Sequence, residues 1–280
     1  MYLNTHQRVR APILPVLAAS LLMSVLPAAA QEAAPAKPME KALAPLQEKA
    51  EADKIEPASV EALEAMGAYL ADLKNFTLKS DFETQMALDN DQVIDIGGTT
   101  NYEVRRPDGL RATVESDLGS REFIYDGKQL TVVDPPDKVY GRAEVAPTIK
   151  GMLEQVSYHL GIDLPLSDLF NFGTPDAAEN IITEGFLVSS AKVDDIPVKH
   201  WAYRTAGKDF ELWIQDGDTP LPLRVVVLDD TIPARPRFEA NLEWAPNVEV
   251  ASSEFEFTPP DDYEEIGFVM QTAEAGEPAK

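Results

Sequence analysis

From Asn75 to Trp244, apolar and polar residues alternate with a period of two in short runs, and Asp, Asn, Gly and Pro separate the runs. This is the pattern of antiparallel strands with one wet face and one covered face, joined by tight turns. Ahead of them Val60, Leu63, Met66, Leu70 and Leu73 recur at three- and four-residue steps behind Pro57, which suits a first helical position. The spacing predicts a helix over Pro57–Lys74 whose apolar stripe lies against the sheet. The first strand follows, with Phe76, Leu78, Phe82 and Met86 on one side and Thr77, Lys79, Asp81, Glu83 and Gln85 on the other. After the turn Asp89-Asn90-Asp91, a second strand carries Ile94, Ile96, Tyr102 and Val104, and Gly97-Gly98 inside it predicts a bulge or bend. Ala112–Asp117, Glu122–Tyr125, Gln129–Val133 and Lys138–Arg142 complete a first block of six strands. Gly185–Val193, Val198–Arg204, Phe210–Gln215, Leu223–Leu228 and Phe238–Trp244 form a second block of five. About eleven antiparallel strands are too many to stay flat, so a curved sheet with a concave face is expected.

Between the blocks the period changes once. Pro147-Thr148 opens a run with Ile149, Met152, Leu153, Val156, Tyr158 and Leu160 on one side, ending at Gly161. Leu164-Pro165-Leu166 and Ser167-Asp168-Leu169-Phe170 then start a second, short helix.

Two segments resemble a known family. Arg106-Pro107 followed by Arg111, then the Asp126-Gly127 turn, Leu130 and a strand ending in Asp134-Pro135, is similar to the centre of the LolA/LolB-type carriers that move lipoproteins through the bacterial periplasm. Far downstream, Phe255-Glu-Phe-Thr-Pro-Pro is similar to that family's closing Phe-x-Phe-x-Pro-Pro segment. Ala112 and Thr131 stand where the carriers usually have Trp, and the chain more closely resembles a predicted periplasmic family known as a domain of unknown function. The resemblance implies a mainly β protein with α (α+β): an incomplete antiparallel barrel with an N-terminal helix, closed around acyl chains by a helical lid inserted mid-sheet. It places the lid at residues 147–172, with Met152, Leu153, Val156, Leu160, Leu169 and Phe170 covering the mouth. It also implies that Arg106, the Arg of the Arg-Pro motif, faces the cavity and helps hold the lid closed.

The termini and the charge narrow the class. Arg8 and Arg10 precede an apolar run from Ala11 to Pro27 that ends in Ala28-Ala29-Ala30, a pattern that predicts a secretory leader over residues 1–30. Residues 31–55 then read as an Ala/Pro/Lys/Glu spacer, 56–268 as one half-barrel domain, and 269–280 as a disordered acidic tail. The expected product is periplasmic and soluble once the leader is cleaved. The chain has no cysteine, so its fold must rest on its own core. Its formal charge of −24, from 24 basic and 48 acidic residues, argues against nucleic acid and anionic bilayers as partners.

Candidate chemistry is sparse. There is no Gly-x-Ser-x-Gly elbow, no His-Glu-x-x-His, no phosphate loop and no dinucleotide fingerprint. His159 and His200 lack an evident catalytic partner, and Asp89, Asp91 and Asp95 lack the Gly and Glu that would complete a calcium loop. No enzymatic activity, cofactor or metal is expected. Alternation puts Tyr102, Val104 and Arg106 on one side of a strand. Arg106 there would need acceptors: lid carbonyls, a cargo head group, or simply an Asp at the sheet rim. Tyr102, Val104, Phe123, Tyr125, Phe210, Leu212 and Trp213 are the candidate walls of a hydrophobic cavity or, equally, ordinary core. The expected function is a monomeric, non-enzymatic binding protein that shelters a lipid or lipoprotein acyl chain. The alternative is an envelope sensor or adaptor in which the same fold binds a membrane or envelope protein.

Overall fold

The computed structural model describes residues 43, 45–49, 55–90, 92–173 and 181–268. The leader, most of the spacer and the acidic tail therefore lie outside the described residues. Helix α1 (Pro57–Asp72) starts on Pro57 and stops two residues short of the expected end, because Leu73 turns extended and drops its side chain into the core. Strands β1 (Asn75–Ala87), β2 (Val93–Arg105), β3 (Gly109–Ser116), β4 (Gly119–Tyr125), β5 (Gln129–Asp134) and β6 (Val139–Glu144) form an antiparallel meander. Helix α2 (Ile149–Leu160) and a four-residue 3-10 helix (Ser167–Phe170) interrupt it. A second meander follows: β7 (Glu184–Val193), β8 (Ile196–Thr205), β9 (Lys208–Gln215), β10 (Pro222–Asp229) and β11 (Arg237–Pro246).

The two meanders are one sheet because β11 pairs with β1, from Phe76↔Pro246 to Thr84↔Phe238. With a two-residue strand β12 (Glu264–Glu265) at one edge, the order is β12-β6-β5-β4-β3-β2-β1-β11-β10-β9-β8-β7, a curved twelve-stranded sheet that stays unclosed. The twelfth strand, β12 (Glu264–Glu265), adds parallel to β6; two residues give no readable alternation, so the pattern of the chain yields eleven.

The expected bulge at Gly97-Gly98 is absent. Pairing of β1 with β2 runs unbroken from Asn75↔Arg105 to Ala87↔Val93. Gly98 is required for another reason: a Cβ there would lie 2.4 Å from the Glu115 carbonyl oxygen and 2.6 Å from the Phe82 ring. The register instead shifts between Leu187 and Ser189 and between Pro222 and Arg224, where a proline that cannot donate to the ladder is tolerated.

The concave face holds one continuous core that takes in α1 (Leu63, Met66, Leu70), α2 (Ile149, Met152, Leu153, Val156) and the inward positions of both meanders. Thr148 caps α2 by accepting from the Gly151 N–H at 3.1 Å, and Gly161 ends it in the left-handed region at φ 63°. Tyr158 does not share the apolar stripe and is exposed. The convex face carries a second, smaller core of Ile124, Val133 and Tyr140, against which Phe257 and Tyr263 pack. Those two come from the segment after β11, which crosses the outside of the sheet to reach β6. The two segments behind the family resemblance meet here: the Phe255 ring lies where a Gly109 Cβ would sit, and the Arg105 guanidinium is 4.7 Å above that ring.

Candidate functional site

The concave side is not uniformly filled. Over β2–β5, Tyr102, Val104, Phe123 and Tyr125 are packed in the core with α1 and α2. Tyr102, at 1% exposure, has its phenol pushed far up by burial; the Tyr125 phenol is pushed up to about 12 by burial, with Asp108 and Asp126 adding to it. These four pack as core, one of the two roles their alternation allowed. Met152, Leu153 and Val156 are likewise buried in that core, and Leu160 packs half-buried at its edge.

A hollow of about 560 Å³ lies instead at the other half of the sheet, between β9–β11 and the segment from Asp163 to Phe172. Helix α1 reaches this half at β7 and β8, where the Ser59 carbonyl accepts from the Tyr203 hydroxyl at 3.0 Å, and among the described residues it is the 163–172 segment that lies over β9–β11. Phe210 and Leu212 line the hollow from β9. Their ladder partners line it too: Val227 and Val225 on β10 pair with Phe210 and Leu212, and Phe238 on β11 pairs with Val227. Leu164, Leu169 and Phe172 close it from above. Val225, Val227, Phe238, Leu164 and Phe172 are missed by reading each run alone, although alternation combined with the β9–β10–β11 pairing brings the three strand residues to one face.

Trp213 points the other way. Phe210, Leu212 and Ile214 are the buried positions of β9, so Trp213 falls on the convex face by alternation. There it stacks on His200 at 3.9 Å, with the Arg224 guanidinium 4.9 Å from its ring. His200 Nε2 and Glu211 Oε2 form a hydrogen bond of 2.6 Å, which gives this histidine a packing and hydrogen-bonding role outside the hollow.

The covering segment is pinned at defined points. Inside, the Tyr102 hydroxyl donates to the Pro165 carbonyl, and Phe170 stacks on Phe76 at 6.2 Å and edge-on to Tyr102 at 5.4 Å. At the mouth, Lys208 Nζ lies 3.7 Å from Asp168 Oδ2. Leu169 lines the hollow, whereas Phe170 turns away from it toward the packed half.

Arg106 sits just beyond β2. Its backbone N–H donates to the Lys74 carbonyl at 2.7 Å, and its guanidinium is 5.8 Å from the Phe170 ring. Among the described residues it makes no ion pair, its Nε is buried without a partner, and burial lowers its pKa. The rim ion pair belongs to Arg105, whose Nε is 3.3 Å from Asp108 Oδ1. Arg106 therefore reaches the covering segment at Phe170 and does not itself line the hollow.

An unclosed, curved sheet with its hollow beneath a mid-chain insertion defines a half-barrel protein. The chain belongs to the family described as "Predicted periplasmic protein (DUF2092)", which matches residues 59–269. No curated protein matches significantly. Solved structures align over most of their own lengths. The lipoprotein LppX of Mycobacterium tuberculosis is 11% identical over 70% of this chain and 99% of its own, with a TM-score of 0.47. An uncharacterized conserved protein of Thermus thermophilus is 11% identical over 75% of this chain and 99% of its own, TM-score 0.42. A LolA superfamily protein of Nitrosomonas europaea is 9% identical over 71% of this chain and 97% of its own, TM-score 0.35. Such distant likenesses say nothing of a shared ligand. Among the described residues, no helix is long and apolar enough to cross a membrane.

Proposed function

We propose that this protein is a non-enzymatic periplasmic binding protein that shelters one hydrocarbon chain, of a lipid or of a lipoprotein acyl group, in the hollow under residues 163–172. The observation that carries this reading is the hollow itself: about 560 Å³, walled by Phe210, Leu212, Val225, Val227 and Phe238. The volume lies within the ordinary range of small-molecule sites, roughly 300–1,000 Å³. At about 30 Å³ per water, and a similar share per methylene, it suits a single chain of the order of a dozen or more carbons. Burying such a chain is worth about 0.8 kcal/mol per methylene, hence on the order of 10 kcal/mol, without any catalytic group. In this reading Arg106 braces the closed cover through Phe170 and is not a head-group contact, and the acidic exterior keeps the loaded protein dispersed.

The test is uptake of the uncharged fluorophore N-phenylnaphthylamine together with mass spectrometry of co-purifying lipids. Val227→Trp, which pushes an indole into the hollow from a half-exposed position, should abolish uptake while leaving the circular dichroism spectrum unchanged. Undiminished uptake by that variant, or no uptake by the parent protein, would sink the proposal.

A further inference from the structure

The rim of the hollow specifies more than its floor. Among the described residues, its charged groups are Asp163, Asp168 and Lys208, and the lysine pairs with Asp168 at 3.7 Å. The mouth thus carries a net negative charge, on a chain whose formal charge is −24. Arg106, a cation without an ion pair among the described residues, does not line the hollow. What remains in the lining is uncharged polar chemistry, the hydroxyls of Ser167 and Thr205 and the amide of Asn171, suited to ester, amide or hydroxyl groups.

A phosphate or free carboxylate held at such a mouth meets the exposed carboxylates of Asp163 and Asp168, and among the described lining residues no guanidinium receives it. A neutral head keeps the full gain from burying the chain and loses nothing at the rim.

We propose that the hollow selects an acyl chain joined to an uncharged, glyceride-type head and discriminates against anionic amphiphiles of the same chain length. This rests on the hydrocarbon-binding reading above and names its ligand class. The same neutral acylglyceryl chemistry occurs in a free glyceride and in the diacylglyceryl group of a lipidated peptide.

The experiment displaces N-phenylnaphthylamine from the delipidated full chain with three competitors of matched chain length, each below its aggregation threshold. They are a monoacylglycerol, a diacylglyceryl peptide with no charged residue, and lysophosphatidate. At physiological salt at least one neutral competitor should displace the probe at about one-tenth the concentration lysophosphatidate needs, a tenfold ratio. Which neutral competitor is stronger identifies the source of the ligand, and either supports the proposal. In the double variant Asp163→Asn/Asp168→Asn, which removes both carboxylates and frees Lys208, that ratio should narrow to about threefold or less. Equal or stronger displacement by lysophosphatidate from the parent protein overturns the selectivity while leaving the hollow as a hydrocarbon site. So does a ratio unmoved by the double variant, since the bias would then come from the distant charge of the whole molecule. Failure of the probe to bind at all overturns the underlying reading instead.

Discussion

Replacing Arg106 by Met should stabilise the protein or leave it unchanged, against the usual cost of truncating a buried arginine. The guanidinium is withdrawn from water with its Nε unsatisfied, and no carboxylate among the described residues answers it. What it receives is the face of Phe170 at 5.8 Å, a contact worth about 0.5–2 kcal/mol. Against this stands desolvation of an unpaired ion, of the order of several kcal/mol when burial is complete and less here because part of the group remains wet. Met keeps most of the stem's volume and leaves untouched the backbone N–H that donates to the Lys74 carbonyl. The balance is a gain of about 0–2 kcal/mol, and a domain of this size moves by about 2–4 °C in Tm per kcal/mol. Urea unfolding and differential scanning calorimetry measure it directly. A loss of about 3–5 kcal/mol would refute the reasoning, because that is the signature of an ion separated from a real partner. Faster exchange of bound N-phenylnaphthylamine in the same variant is expected, since the brace on Phe170 is gone.

Three further outcomes follow from particular contacts. Burial raises the pKa of Glu103, and the neighbouring Glu254 carboxylate raises it further, with Arg111 offsetting only part. The folded state therefore holds this proton more tightly than the unfolded chain, and wild-type stability is lost as pH rises above about 4.3. Glu103→Gln should accordingly gain on the wild type between about pH 4 and 7, by up to about 1 kcal/mol, in parallel urea titrations. Asp209 behaves oppositely: hydrogen bonds from Arg204, at 2.6 and 3.0 Å, hold its carboxyl below the usual range, and Arg235 adds a third contact at 3.0 Å. That stability is present above about pH 4 and lost on acidification through the folded value, so Asp209→Asn should cost about 1–2 kcal/mol at pH 7 and converge with the wild type under acid conditions. Gly98→Ala should cost about 1–3 kcal/mol by thermal melting, because the Phe82 ring can yield to a new methyl but the Glu115 carbonyl cannot.

The sequence by itself determined the strands and the helices, because period-two alternation and the stripe of α1 are local consequences of which positions must leave water. It also marked Phe255-Glu-Phe-Thr-Pro-Pro, although not that Phe255 would seat on Gly109 and Phe257 on the convex core. Which half of the sheet would be packed and which hollow was a tertiary decision. Tyr102 and Phe210 sit on equally apolar strands, yet Tyr102 is packed with α1, α2 and Phe170, whereas Phe210 borders the hollow under the 163–172 segment, with α1 reaching no nearer than its stacking partner Tyr203 among the contacts described. Alternation within β9 placed Trp213 opposite Phe210 and Leu212, a distinction lost when aromatic residues are gathered by composition. Whether Arg106 would meet an acid or an aromatic ring depended on where Phe170 came to rest, more than sixty positions along the chain. A run of residues fixes its own solvent preference, but a void is a property of several segments at once, and only their meeting shows where one is left.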